Sequence, residues 1–436
     1  MKNKLKIAVV GSGISGLTAS YYLSKVGHEV ELFEADERIG GHTNTVDVTE
    51  NNQIVPVDTG FIVCNNRNYP NFLKLMQELG VELIDSEMSF SVKKEDGTLE
   101  YNGTTLNTLF CQRLNLFRPS FYRMIFDILR FNKEATKYYL DGLQNGTSAS
   151  SQTIEEYLAI NNYTPEFMEH YIMPMGAAIW SASRAEMKEF PLDFFVRFFY
   201  HHGMLTVNDR PQWMVLKGGS KAYLPKIIAN FKSQIHLNSP VVGVKNEEYE
   251  GKLKVNVSYL KHGARESKIF DQVVLALHGD QILKLLDNPS AQERSILSQF
   301  SFRQNETVLH TDTSVLPVSP LGHASWNYFL PKSSKNSISV TYHMNILQRL
   351  KTERTYLVSL NMTSMIDPKK VIKIINYNHP VYTRASVTSQ GRWQEISGKR
   401  GIHYCGAYWA NGFHEDGVKT ALRVVELIEN ENNRRN

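Results

Sequence analysis

The chain has 436 residues, 42% hydrophobic and 21% charged, which can bury a large core and is too long for one ordinary domain. A net charge of +4 is too small to argue for nucleic acid, and Cys64, Cys111 and Cys405 stand far apart with no CxxC pair. That spacing excludes a cysteine-built metal site or disulfide framework and suits a reducing, cytoplasmic compartment.

The basic start Met1–Lys6 is followed by too short an apolar run for a signal peptide, and no stretch approaches 18 uncharged apolar residues, so no transmembrane helix is expected. Lys6-Ile-Ala-Val-Val10 reads as a buried parallel strand. Gly11-Ser-Gly-Ile-Ser-Gly16 follows, then a helix over Leu17–Val26, a break at Gly27-His28, and a second strand, Glu29–Phe33, ending at Glu34. Gly11 allows a tight turn, Gly13 lets the backbone approach a pyrophosphate, and Gly16 lets helix and strand pack closely. The helix start at Ser15 offers free N–H groups to phosphates. Glu34, 18 residues after Gly16, is placed to accept the ribose hydroxyls and to repel the 2′-phosphate of NADP.

Past the second strand comes Ala35-Asp-Glu-Arg38-Ile-Gly40-Gly41-His42-Thr43. It resembles the arginine–glycine–glycine signature of the flavin amine oxidase and phytoene desaturase superfamily, whose arginine and glycine backbone grip the pyrophosphate and ribityl chain. That superfamily usually has a second arginine where this chain has His42. Val55-Pro-Val-Asp58-Thr-Gly60-Phe61 resembles its flavin-proximal segment. Trp213-Met-Val-Leu-Lys217-Gly218-Gly219-Ser220, with a helix over 221–231, resembles its mid-chain return to the nucleotide domain. Ile235 to Val244, with Val241 and Val242, resembles the strand beside the adenine, and the run from Phe270 to Leu277 reads as another buried strand.

Near the C-terminus, Tyr404-Cys405-Gly406-Ala407 and Gly412-Phe413-His414-Glu415-Asp416-Gly417-Val418 resemble the superfamily's closing segment. It comprises a strand, a glycine at the ribityl phosphate, and a helix aimed at the isoalloxazine. Ala407 stands where the superfamily usually has an acid. The resemblance implies non-covalent FAD held by these residues, with no cysteine placed for attachment. It puts Phe413 beside the ring as a cage aromatic, and His414 or Glu415 at the ring edge as acid/base candidates, His414 the better tuned near neutral pH.

The intervening residues 80–217 read as a largely helical, aromatic cap. Residues 110–133 interleave Arg113, Arg118, Arg123, Arg130 and Lys133 with Phe117, Phe121, Tyr122 and Phe126. Such a helix either lies on an anionic membrane surface or is a core helix with a solvated basic face. Pro191–Gly203 carries five aromatics within residues 194–200, a pattern for buried core or an apolar cavity wall. His201-His202 diverge on a helix and lack a carboxylate partner, so no metal is expected. Residues 145–152, rich in Gly, Ser and Thr, suit a loop. Ser325–Tyr328 and Thr341–Asn345 read as neighbouring strands of a substrate-domain sheet.

The fold expected is therefore α/β: a Rossmann-like FAD-binding domain of the glutathione reductase type, with an inserted α+β substrate domain and helical cap. The nucleotide domain takes 1–80, 215–295 and 385–436, and the substrate domain 81–214 and 296–384. Arg38-Ile-Gly-Gly-His42, Ala178-Ile-Trp180-Ser, Ser325-Trp-Asn-Tyr328 and Gly412-Phe-His-Glu-Asp-Gly417 resemble a subgroup of bacterial proteins similar to the N-terminal part of plant cyclopropane fatty acid synthases. In that subgroup His42 is usual, and members commonly occur beside acyl-lipid methyltransferases. The resemblance implies a lipid-linked substrate dehydrogenated or desaturated by hydride transfer to flavin N5. An amine oxidase, a redox-neutral flavin enzyme and a non-catalytic flavoprotein partner of an acyl-lipid methyltransferase stay open beside it, as does contact with a membrane surface through 110–133.

Overall fold

Ile7, Ala8 and Val9 have no exposed surface, as a strand covered on both faces requires. Lys6–Val10 lies at the centre of a five-stranded sheet in the order Ile235–His236, Glu29–Phe33, Lys6–Val10, Gln272–Leu275, Ile402–Tyr404. Every pairing is parallel, with Ala8 opposite Glu31 on one side and Val273 on the other. The computed structural model describes residues 4–145, 152–332 and 339–434; most of the loop expected over 145–152 and the start of Met1–Lys6 lie outside them. Helix Ile14–Lys25 connects the first two strands and packs against the C-terminal helix His414–Arg434. At their crossing a Cβ on Gly417 would stand 2.6 Å from Ile14 Cγ2, so the close approach of the two helix starts depends on glycine there.

The second sheet has seven strands, in the order Val371–Val381, Ser301–His310, Leu357–Leu360, Val340–His343, Trp326–Leu330, Phe90–Lys94, Glu100–Asn102. Trp326 faces Tyr342 in its register, so the two segments expected to neighbour one another do so. One hydrophobic core surrounds the parallel sheet and a second lies beneath the seven-stranded sheet and the cap helices, with Phe413 packed against both. Val55, Val57 and Ile62 belong to the second core, although their segment was assigned to the nucleotide domain. Among the described residues no helix is long and apolar enough to cross a membrane.

Residues 80–217 are largely helical, as expected, but begin with strands: Phe90–Lys94 and Glu100–Asn102 form a hairpin whose Asp96-Gly97 turn has Gly97 at φ 69°. Three local expectations are corrected. The segment 110–133 is no single helix; a turn over Arg113–Phe117 precedes Pro119–Asn145, which starts at a proline suited to the first helical position. The helix expected over 221–231 is confined to Leu224–Ile227 behind a turn at Ser220–Tyr223, because Pro225 suits only a first turn. The strand expected over 235–244 is two elements. Ile235–His236 ends in the parallel sheet, Asn238 turns the chain at φ 49°, and Val241–Tyr249 starts a separate antiparallel sheet with Lys252–Lys261 and Ala264–Phe270.

Candidate functional site

A cavity of about 1320 Å³ opens at the carboxyl ends of the parallel strands and continues between the two cores. Gly11, Glu34, Ala276 and Gly406, each just beyond a strand end, line it. This is where the topology of an open α/β sheet leaves a crevice. Its volume exceeds the roughly 300–1,000 Å³ usual for one drug-sized ligand, leaving room for a second molecule beside a nucleotide.

At the nucleotide end the wall is largely main chain. Gly13 is the N-cap of Ile14–Lys25, no side chain caps that helix, and no atom lies within 4 Å of where a Gly13 Cβ would be. The helix start, with Ser15 in the wall, therefore presents its N–H groups and partial positive charge to the cavity. The Glu34 carboxylate accepts Ser12 N–H at 2.8 Å and Asp36 N–H at 3.0 Å, which fixes it beside Ala35 at the rim. Arg38 donates to the carbonyls of Gly41 at 2.9 Å and Thr43 at 3.3 Å, so its guanidinium braces the turn over Gly40–Thr43 as well as lining the cavity.

Further in, three imidazoles gather. His42 stacks on Tyr377 with ring centroids 4.9 Å apart and lies 5.4 Å from His379 and 6.3 Å from His278. Burial holds His42 well below the usual imidazole range, helped by the neighbouring His379, His278, His414 and Arg38; burial likewise takes His379 down to about 4. His278 and His379 escaped the sequence reading. His278 had a usable signal, three residues beyond the end of Gln272–Leu275 at the mouth of the crevice.

Phe413 and His414 both line the cavity. The Phe413 ring stacks on Phe198 at 5.1 Å, and Trp180 Nε1 donates to the Asn411 carbonyl at 3.3 Å, fixing the turn that carries Phe413. His414 stacks on Phe61 at 3.6 Å, its Nε2 is 3.0 Å from Thr43 Oγ1, and burial depresses it to about 3. The expectation that His414 is tuned near neutral pH is thereby corrected: it is a neutral, packed ring. Glu415 is turned away. Its carboxylate accepts Asn71 Nδ2 at 2.6 Å and Phe72 N–H at 2.8 Å, capping the start of helix Pro70–Glu78.

Other predicted cofactor contacts support the wall from behind. A Cβ on Gly16 would lie 1.9 Å from the Gly11 carbonyl oxygen, so Gly16 packs helix on strand and does not face the cavity. Gly40 N–H donates to the Ser12 carbonyl at 3.0 Å, and Thr43 Oγ1 bridges Tyr223 OH at 2.6 Å to His414. Asp58 is a buried structural carboxylate, accepting Thr45 Oγ1 at 2.6 Å, Ser220 N–H at 2.8 Å and Gln348 Nε2 at 3.0 Å. Gly219 packs against Thr45 in that hub, with Gly218 before it. Gly60 stays in the wall beside Gly41 and His42. Asp416 accepts the N–H of Phe413 at 3.0 Å and so caps its own helix, while Gly417 meets Ile14 and Val418 is fully buried. Val241 and Val242 stand outside the cavity, displaced into the antiparallel sheet by the turn at Asn238.

The cap end is built of side chains: Met88, Tyr171, Met175, Trp180, Trp326 and Tyr342. Its charged neighbours Glu87 and Arg210 are both exposed, so they mark the rim. Trp326 Nε1, Tyr382 OH and Asn411 Oδ1, which belong to residues that line the cavity, are buried with no hydrogen-bond partner among the described residues.

An FAD fits this donor set. Gly11, Gly13 and the helix start would hold the pyrophosphate, Glu34 the ribose, and the start of His414–Arg434 would lie towards the ring. The profile of flavin-containing amine oxidoreductases matches residues 14–315. An L-amino acid oxidase of Cerastes cerastes is 54% identical over 43 residues, 10% of this chain and 8% of that relative's length. Cyclohexylamine oxidase from Brevibacterium oxydans IH-35A has the same fold, with a TM-score of 0.68 at 15% identity, covering 98% of this chain and 99% of that one. The CLA-producing fatty acid isomerase from P. acnes superposes with a TM-score of 0.63 at 14% identity over 98% of each chain. The chain belongs to the flavin-containing amine oxidoreductase family, and FAD is its cofactor.

Proposed function

We propose that this protein is an FAD-dependent oxidoreductase acting on a long apolar substrate, the acyl chain of a lipid. One observation carries the reading: the cap end of the cavity is walled by thioether and aromatic side chains, and the charged residues that line the cavity from the substrate domain, Glu87, Arg210 and Lys373, are all exposed. An alkylammonium group deep in that pocket would meet no carboxylate, whereas a hydrocarbon chain loses nothing there and gains about 25 cal/mol per Å² of apolar surface buried. When bound, FAD supplies a two-electron acceptor for hydride from a substrate C–H. The chain's own part is to orient and to exclude water. Phe198 and Phe413 form a stacked aromatic wall, and the Trp180–Asn411 hydrogen bond sets the position of Phe413.

A second reading has its own support. His42, His202, His278, His379 and His414 line the cavity, and all are pushed below the usual imidazole range, chiefly by burial. All are therefore unprotonated but weakly basic rings that hold a released proton poorly, which favours a redox-neutral rearrangement of the acyl chain, where hydrogen leaves and returns as hydride, over a desaturation that must also release a proton. The fatty acid isomerase among its structural neighbours is in keeping with that.

Anaerobic mixing with methyl-branched, cyclopropyl and unsaturated phospholipids separates these readings. Net bleaching of the flavin supports dehydrogenation, and a changed lipid without net bleaching supports rearrangement. Rapid bleaching by amines together with inertness towards every lipid overturns both.

A further inference from the structure

We infer that the face formed by the turn around residues 106–117 and the outer side of helix Pro119–Asn145 docks on an anionic lipid bilayer. The sequence left two readings for this segment, and the structure weighs against the solvated one. Phe121, Met124, Phe131 and Ala135 turn inward to the second core. Outward, Tyr122, Phe126, Leu129, Leu140 and Leu143 recur at helical spacing on one stripe and are all exposed, Phe126 at 67%. The preceding turn adds Phe117 at 83%, Leu106 at 77% and Leu114 at 63%. Large apolar side chains gathered at this density on a soluble surface mark an interaction site.

Charge identifies the occupant. Between 113 and 137 the chain carries six cations and two anions, a local excess as large as the +4 of the whole molecule, so the rest is balanced. Asp127 is buried, and Glu134 is tied to Arg130 and Tyr163. Arg113, Lys133 and Lys137 are exposed and form no ion pair among the described residues. Aromatic and leucine side chains ringed by unpaired cations match an interface of acyl chains beneath anionic headgroups. A second copy of this chain would set these cations against each other.

The position gives the surface a use. Gly103 and Thr104 line the cavity, and Thr105 starts the short helix that carries Leu106. The cavity wall thus runs into the patch, so a chain leaving the bilayer there reaches the cavity past Gly103 and Thr104. Only this last step rests on the acyl-lipid reading; binding to vesicles needs no turnover.

The test uses the full FAD-loaded protein with vesicles of phosphatidylcholine alone or with about one lipid in three replaced by phosphatidylglycerol. The protein should sediment with the anionic vesicles and be released by salt. Combining Arg113→Gln, Lys133→Gln and Lys137→Gln should weaken binding roughly fivefold per cation removed. Phe117→Ser with Phe126→Ser should abolish binding while leaving the circular dichroism unchanged. A Phe126→Trp variant should be quenched by lipids brominated on the acyl chain, which a merely electrostatic contact would not do. Absence of sedimentation with anionic vesicles, indifference to both sets of substitutions, or a dimer that Phe126→Ser dissolves would overturn the proposal. Flavin reduction by a lipid dispersed in detergent is read separately, so failure of docking and failure of the substrate reading are distinct results.

Discussion

At the nucleotide end the cavity wall is backbone: Gly11, Gly13, Gly41 and Gly60 expose main chain, and a helix start supplies the donors. At the cap end it is side chain, with Met88, Tyr171, Met175, Trp180 and Trp326 supplying shape and few polar atoms. The difference teaches how one fold separates cofactor from substrate. A backbone wall fixes a single geometry and admits no added atom, so it suits a ligand that never changes. A side-chain wall is recut by substitution without moving the chain, so it is where the substrate is chosen.

The sharpest way to break the contrast lies within the glycine loop. Gly16→Ala places a methyl 1.9 Å from the Gly11 carbonyl oxygen, a main-chain clash that no rotamer relieves. It should cost at least about 3 kcal/mol and lower the Tm by roughly 3 °C or more, with FAD lost on gel filtration. Gly13→Ala should behave differently, because its φ of −63° suits alanine and its methyl meets no protein atom. The flavin-free protein should keep its stability within about 0.5 kcal/mol, while the FAD dissociation constant rises about tenfold or more. Equal damage to the apoprotein from both variants would mean that the open side of Gly13 is not the cradle.

At the cap end effects should be smaller and divided differently. Tyr382 stacks on Phe194 at 4.8 Å, and its buried hydroxyl has no partner among the described residues. Tyr382→Phe should therefore leave the apoprotein unchanged or up to about 1 kcal/mol more stable. If the hydroxyl meets substrate, KM should rise about fivefold with kcat and flavin affinity unmoved. A loss of FAD in this variant would erase the division between the two ends.

The same contrast explains what was legible beforehand. The backbone end announces itself, because Gly11, Gly13, Gly16 and Glu34 are dictated by local geometry at fixed offsets. Asp58 and Glu415 were placed on the cofactor because residue type and position agreed, yet their partners, Ser220 and Gln348 for one and Asn71 and Phe72 for the other, are remote in the chain. No local pattern distinguishes a carboxylate facing a ligand from one capping a distant helix. Val241 and Val242 stand outside the cavity lining for a related reason: one residue in the left-handed region, Asn238, moves the following strand to another sheet. The side-chain end gave only a composition. Aromatic density over 194–200 told of burial, while the cavity is completed by Met88, Tyr171 and Trp326, residues brought together by topology alone.

The smallest expected effect tests where the two ends meet, at the start of the C-terminal helix. Burial raises Asp416 from the ordinary 3.8 to about 7, with the adjacent Glu415 pushing the same way, against the hydrogen bond from Phe413 N–H. A folded-state value above the unfolded one means that the folded chain holds the proton more tightly. The contribution to stability is then complete below about pH 4, is lost as pH rises towards 7, and is constant beyond it. Asp416→Asn retains an acceptor for Phe413 N–H and has no charge to bury, so its stability relative to the native chain should climb between pH 5 and 7. The slope can reach at most about 1.4 kcal/mol per pH unit, a shift of a few degrees in Tm. A difference that stays flat over that range would show the carboxylate already ionised, held by the positive end of the helix. The helix start behind Phe413 would then be a site built for negative charge on its protein side as well as its cavity side.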